Sequence, residues 1–458
     1  MKKIEMQRIA SSYKDPSGFV FNHENTIYRA INHAYIKDYQ MLMNSGLYEE
    51  LTQKKLLIAH HELDEIEMNL SIEKVIKPIQ IQTISYAYEW SFSMMKEAAI
   101  CTLKCAITAL KYGMILKDAP TSNIQFYENK ATLIDTLSFE IYEEGKPWIA
   151  YRQFCESFLA PLLLMKYCNS SLNKLLIAYP NGIPLNVCSD LLPLKSKTNF
   201  NVILHIYLQA SFSRNKSKSQ KQNSFFSKKK LHTLLQGLLV FVTDLKPKKE
   251  ATTWDNYYQE TIIGGKYLNE KKEMVSLMLS TISFNTLLDL GANEGEFSLL
   301  FQNTEKQIIA VDEDKTCIER LFFHCKKNKI KNILPLIIDL TAPSPSVGWV
   351  NKERPAFFER AKCDVILSLA LIHHLCIAHN LSFEQVFRLF HSIANYVLIE
   401  FVEKEDEKVK ELLQHRKDIF DDYTLDKFID SANTYFDIIE QRKGSVQTRT
   451  LFLLKKIE

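Results

Sequence analysis

The chain has 458 residues, 46% hydrophobic and 24% charged, with a formal net charge of +3. That length allows two or three domains with full cores, and the composition is globular; the charge is too small to indicate nucleic acid. Apolar runs such as 158–165 and 238–242 fall far short of a membrane span, and the first residues lack the apolar core of a signal peptide. Nine scattered cysteines without a C-x-x-C pair point to a reducing, cytoplasmic setting.

In chain order, residues 18–21 and 26–30 read as a hairpin and 35–54 as a helix. Residues 86–90 form a connection, and 92–112 predict a long, largely apolar helix. Cys101 and Cys105 share a face of that helix, but no further ligands lie nearby. They read as core thiols, and no metal site is expected there. Asp118 and Asn123 follow in D-x-x-x-x-N spacing, then a hairpin-like turn at 127–131 and an apolar strand ending in Asp135. An acid that orients an acceptor hydroxyl, then Asn and Asp as hard oxygen ligands, is what magnesium-dependent phosphoryl transfer requires. The alternative is a polar turn and a hairpin whose acids cap backbone groups.

The middle is helical, with Pro147 suited to a helix start and Pro161 interrupting the pattern that follows. Residues 213–230 are rich in Lys, Ser, Asn and Gln, with Phe225-Phe226 embedded, and read as an exposed loop. The domains are therefore drawn at 1–230, an α+β domain, and 245–458. Trp254, Tyr257 and Tyr258 precede the second domain's sheet, either as a packing face or as a cover over a ligand. A helix is expected over 269–281.

The second domain is α/β. Apolar runs at 286–290, 307–312, 333–339, 363–371 and 396–400 alternate with helical patterns at 315–328 and 382–393. Such alternation predicts a doubly wound parallel sheet with ligand groups at the strand carboxyl ends. The first strand ends in Asp289 and enters a loop with Gly291, Asn293 and Gly295, which leads into a helix-like 296–301. Glycine, and to a lesser degree asparagine, tolerates positive φ and lets a ligand approach bare backbone. Asp312 lies about 20 residues on, the spacing of a carboxylate that accepts ribose hydroxyls.

These residues resemble the class I S-adenosylmethionine (SAM)-dependent methyltransferases over roughly residues 280–458. The resemblance implies SAM as cofactor. Asp289, Gly291, Asn293 and Gly295 would lie under its methionine part, Asp312 at the ribose and Asp339 at the adenine. Leu369 and Ala370 stand where relatives often carry a polar residue, so contacts there would use backbone groups. His373, His374 and Glu400 at the same rim are the candidate catalytic residues, each with packing or capping as its alternative. Longer runs at 339–349, 369–375 and 399–406 resemble a narrower bacterial group, long methyltransferase-like proteins related to rhizobial nodulation proteins. The expected acceptor is an unidentified small molecule or glycan.

The first domain resembles a reduced kinase fold, closest to atypical small-molecule kinases. The resemblance implies Mg-ATP at Asp118, Asn123 and Asp135, in which case the protein would be bifunctional. The departures are a solitary Gly18, Arg29 in place of a strand lysine, Leu116-Lys117 before the acid, and Asp135-Thr136-Leu137 in place of D-F-G. They favour a domain for docking or substrate presentation.

Overall fold

The computed structural model describes residues 7–63, 72–214, 225–248, 265–414 and 416–457. The chain forms two compact units. The first is Met1–Lys249 with Ser344–Ala356, the second Glu250–Pro343 with Phe357–Glu458.

The first unit opens with a five-stranded antiparallel sheet of order β1-β2-β3-β5-β4: β1 Gln7–Arg8, β2 Gly18–His23, β3 Thr26–Asn32, β4 His60–Leu63 and β5 Ile72–Pro78. Gly18 serves this sheet, because a Cβ there would stand 2.0 Å from the Ala30 carbonyl oxygen across the hairpin. The helix expected over 35–54 is two, α1 Ile36–Asn44 and α2 Leu47–Gln53, broken where Gly46 turns to φ +88°. Helix α3, Phe92–Lys111, is rich in helix formers and buried around most of its circumference, which makes it the unit's central element.

After α3 come β6 Met114–Leu116, paired with β9 Phe139–Ile141, and the hairpin β7 Ile124–Tyr127 with β8 Lys130–Leu133. Glu128 and Asn129 supply the two positive φ values of the hairpin's turn. Pro161 does not end its helix. The missing N–H is absorbed by a widened i→i+5 turn at Cys155–Leu159, and the helix resumes over Ala160–Tyr167. The helix Lys228–Asp244 packs on α3. Residues 344–356 also belong to this unit: Trp349 stacks on Tyr13 at 5.8 Å, and Glu353 pairs with Lys14.

The second unit is built on a seven-stranded sheet of order β12-β11-β10-β13-β14-β16-β15. The strands are β10 Thr286–Leu290, β11 Gln307–Asp312, β12 Ile333–Ile337, β13 Cys363–Ser368, β14 Ala394–Val402, β15 Phe436–Lys443 and β16 Arg449–Lys456. The first five run parallel, and β16 and β15 close the edge antiparallel. Their interiors are unbroken apolar runs, as strands covered on both faces require. From β10 the chain moves outward to β11 and β12, then returns to β13 on the other side. The carboxyl ends beside β10 therefore open a crevice at the point where the order reverses.

The helix expected at 269–281 spans Gly265–Ser280. Lys315–Lys327 and Phe383–Ile393 are helices as expected, the second with a Ser382/Gln385 capping box. Residues 296–301 differ from expectation. Ser298 is buried with its hydroxyl on Asp289, and the helical part is shorter and tighter, a single 3-10 helical turn over Ser298–Phe301. Trp254, Tyr257 and Tyr258 lie outside the described residues. Among the described residues no helix is long and apolar enough to cross a membrane.

Candidate functional site

The crevice of the second unit is lined by Asp289, Gly291 and Asn293 from the first loop, Asp312 and Glu313 after β11, and Asp339 after β12. Leu369, Ala370, His374 and His379 follow β13, and Tyr267, Lys271 and Arg449 complete the wall. Gly291 takes φ +73° and Asn293 φ +51°, the left-handed geometry expected for this loop. Gly295, at φ +81°, lies off the crevice, where a Cβ would stand 2.6 Å from the Leu321 side chain; its role is close packing on the following helix.

The loop's backbone is not bare. The amides of Gly291 and Ala292 both donate to the Val311 carbonyl at 2.9 Å. That of Asn293 donates to Asp312 Oδ2 at 2.8 Å, that of Glu294 to Asn293 Oδ1, and that of Gly295 to the Ala292 carbonyl. Every N–H from 291 to 295 is consumed inside the fold. The loop therefore has no row of donors for a phosphate, as a dinucleotide site would need.

Its carboxylates face the crevice instead. Asp289 is pushed up to about 7 by burial, against a 2.7 Å hydrogen bond from the Ser298 hydroxyl. Burial pushes Asp312 up to about 6, although the Asp314 and Asn293 amides each donate to it at 2.8 Å. Asp339 Oδ1 accepts from the Thr341 hydroxyl and from the amides of Thr341 and Ala342, which fixes the turn after β12. Ala370 holds φ +51°, so the short Leu369-Ala370 run presents backbone where a longer polar side chain was absent from the sequence.

The three candidate catalytic residues separate. His374 lines the crevice, and burial pushes it down to about 4. His373 is fully buried off the crevice with its ring 4.3 Å from that of His374. Among the described residues neither of its ring nitrogens has a hydrogen-bond partner, and burial, then His374 and Arg449, hold it well below the usual histidine range. Glu400, 1% exposed, does not line the crevice. It accepts from Lys271 Nζ at 2.6 Å and from the Tyr267 hydroxyl at 2.9 Å. Burial disfavours its charge, but Lys271 and Arg449 outweigh that and hold it below the ordinary carboxylate range.

Tyr267, Lys271 and Arg449 are the site residues that the sequence reading missed. Arg449 forks onto Asp406 at 2.8 and 3.0 Å, and Thr448 adds a third bond to the same carboxylate. Burial alone would raise Asp406, but the Arg449 fork brings it to about 2. The crevice's two cations are thus matched by Glu400 and Asp406 behind the wall. Among the described residues, Asp289 and Asp312 face the crevice with hydrogen bonds and no ion pair of their own.

In the first unit the structure also brings its candidates together. Asn123 Nδ2 donates to Asp135 Oδ2 at 3.3 Å, and Asp118 is half-buried close by, pushed up to about 6 by burial and then by Asp135. Arg29, on β3, donates to Asp15 at 2.5 Å and forms an ion pair with Asp135 at 2.8 Å.

Five parallel strands in the order 3-2-1-4-5, closed by an antiparallel 7-6 edge, with acids at the first three strand ends, define a class I methyltransferase fold. Over 98% of its length the chain is 29% identical to nodulation protein NoeA of Rhizobium meliloti (strain 1021), covering 96% of that protein. The chain is thus similar over nearly its whole length to a rhizobial nodulation protein. No protein-family profile matches it.

Similar solved structures include N-methyltransferase NodS from Bradyrhizobium japonicum WM9 in complex with S-adenosyl-L-homocysteine. It is 11% identical, with 45% of this chain and 94% of that one covered at a TM-score of 0.31. The PH0226 protein from Pyrococcus horikoshii OT3 is 16% identical, with 44% and 99% covered at 0.32. The bifunctional kinase-methyltransferase WbdD is 17% identical, with 42% and 39% covered at 0.29.

Proposed function

We propose that the second unit transfers a methyl group from SAM to an acceptor bearing a hydroxyl or amine, a small molecule or glycan. The observation that carries this reading is the loop at 291–295. Its amides are all consumed, while Asp289 and Asp312 face the crevice without a matching cation. Among the described residues Lys271 is the cation that favours ionised Asp289, and it is paired with Glu400, so the combination suits a nucleoside with no phosphates and a positive charge. SAM, when bound, supplies an electrophilic methyl on a sulfonium.

The chain's own residues do the rest. Asp312 accepts ribose hydroxyls through lone pairs that its two backbone bonds leave open, and Asp339 fixes the turn beside the adenine. Asp289 faces the positive methionine part, Gly291 leaves room for it, and Leu369 and Ala370 meet it through backbone. Methyl transfer from a sulfonium is a displacement in which positioning and a dry pocket do much of the work. His374 is the crevice residue that can take the acceptor's proton, because burial keeps it neutral down to about 4. Glu400 positions Lys271 and Tyr267, and His373 packs behind His374. The first unit docks or presents the acceptor. The nine cysteines are all free, in keeping with a reducing cytoplasm.

The test is transfer of radiolabelled methyl groups from SAM into small-molecule, glycan, protein and RNA fractions by the full-length protein and by His374→Gln. Label in the small-molecule or glycan fraction, reduced in the variant, is expected. Label confined to protein or RNA contradicts the acceptor class, and no label in any fraction contradicts the reaction.

A further inference from the structure

The acids of the first unit were expected to hold Mg-ATP, and their surroundings do not fit that group. Asp135, the residue placed to bind metal, offers two oxygens and about four lone-pair sites. Four donors fill them. Oδ1 is in ion-pair contact with Arg29 Nη1 at 2.8 Å and accepts from the Leu137 amide at 3.1 Å. Oδ2 accepts from the Ser138 hydroxyl at 2.6 Å and from Asn123 Nδ2 at 3.3 Å. Asn123 turns its amide nitrogen toward the acid, whereas a metal site needs its oxygen. A divalent cation would have to displace this whole set.

Most of the groups that would hold the phosphates are spent in the same way. Phosphates need backbone donors or a cation. The connection between β1 and β2 stands where such donors would lie. The amides of Ile9, Ser12, Tyr13, Asp15 and Ser17 bond within the unit and position 16 is a proline, so only those of Ala10, Ser11 and Lys14 are left on this connection. The same connection carries Asp15, an acid where a phosphate-covering loop needs bare N–H groups. Both local cations are tied to it: Arg29 to the Asp15 carboxylate and Lys117 Nζ to the Ser17 hydroxyl at 2.8 Å.

We propose that Arg29 is the resident cation of this cleft. Its planar guanidinium bridges Asp15 and Asp135 where a phosphotransferase holds a metal ion, and the cleft takes neither a divalent cation nor a metal-nucleotide. Arginine suits the place because its fork reaches two carboxylates at once and it stays charged at any physiological pH. The first unit then keeps the shape of a phosphotransferase while its charges satisfy one another. This does not rest on the methyltransferase reading of the second unit.

The experiment is titration of Mn²⁺, alone and with ATP, into the full-length protein, with free Mn²⁺ followed by electron paramagnetic resonance. Wild type should leave the free-ion signal unchanged with Mn²⁺ alone, and with ATP should leave both the free-ion signal and the line shape of Mn²⁺-ATP as they are in protein-free buffer. Arg29→Met strands Asp15 and Asp135 without a cation and should bind Mn²⁺ at least about tenfold more tightly than wild type. Arg29→Met/Asp135→Asn should lose that gain. Circular dichroism checks folding, and should Arg29→Met fail to fold, Arg29→Gln replaces it. Its neutral amide supplies no charge to either acid, so that variant should also gain Mn²⁺ binding. Uptake of Mn²⁺-ATP by wild type, or no gain in a folded Arg29 variant, would overturn the proposal.

Discussion

Each unit gathers aspartates at the ends of strands or hairpins, and the two gatherings are left in opposite electrostatic states. In the first, Asp135 meets Arg29, Asn123, Ser138 and a backbone amide, and its charge is satisfied from within. In the second, Asp289 and Asp312 stand on an open crevice, raised to about 7 and 6 by burial, and the lysine that favours ionised Asp289, Lys271, is paired with Glu400. A carboxylate saturated by its own chain is structural. A carboxylate that is desolvated, accessible and uncompensated is poised for a cationic or hydroxyl-bearing ligand.

The largest expected effect sharpens that contrast at the crevice wall. Lys271→Met leaves Glu400, 1% exposed, without its ammonium. The cost should be about 3–5 kcal/mol, because an uncompensated buried charge remains. Denaturant unfolding of the full-length protein measures it, and a loss under about 1 kcal/mol would mean Glu400 is not held as a charged partner.

Next comes the pH dependence of Asp289. Its folded value, about 7, lies above its ordinary 3.8, so the folded state binds the proton more tightly. The stabilising contribution is therefore full below pH 4 and lost as pH rises through 7. Asp289→Asn removes this dependence. Relative to wild type, it should gain on the order of 2–4 kcal/mol between pH 4 and pH 8. Melting curves of both proteins across that range decide it, and a constant difference would mean Asp289 is not buried as a charge.

Asp312→Ala should weaken binding of S-adenosylhomocysteine by about 1–3 kcal/mol, roughly 5- to 150-fold, because ribose hydroxyls lose a charged acceptor. An unchanged dissociation constant by equilibrium dialysis would break the ribose assignment. The smallest effect belongs to the other unit. Asp118 is half-buried with its proton already favoured up to about 6. Asp118→Asn should change stability by less than about 1 kcal/mol and leave binding of S-adenosylhomocysteine as it is. Calorimetric melting and dialysis check both, and a large loss in either would give Asp118 a role that the comparison denies it.

What the sequence made legible follows from local physics. Parallel strands covered on both faces appear as unbroken apolar runs, so β10 to β14 could be read, and the acids at their ends with them. The positive φ at Gly291, Asn293 and Gly295 was legible because few residues tolerate it. Which of those positions faces ligand was not, since Gly295 owes its identity to Leu321 on another element. Lys271 and Arg449 come from a helix before the sheet and from its last strand, and only tertiary packing sets them beside Glu400 and Asp406. A signal did exist. Tyr267, Lys271 and Val275 fall at four-residue spacing, so Lys271 is a lysine standing on a stripe that otherwise packs inward.

The same limit applied in the first unit. D-x-x-x-x-N spacing names the acids but not their partners, and the Arg29 bridge is a contact across more than 100 residues. In the crossover from β12 to β13 the sequence offered only the resemblance of 339–349, and nothing in it showed that residues 344–356 belong with the first unit, where Trp349 stacks on Tyr13.

The central claim is that one gathering of acids is open to ligand and the other closed. Titration calorimetry of the full-length protein with S-adenosylhomocysteine, then with Mg-ATP, tests it most directly. The account predicts saturable binding of S-adenosylhomocysteine on the order of micromolar, and no heat beyond dilution from Mg-ATP. Silence toward S-adenosylhomocysteine together with saturable binding of Mg-ATP would contradict it.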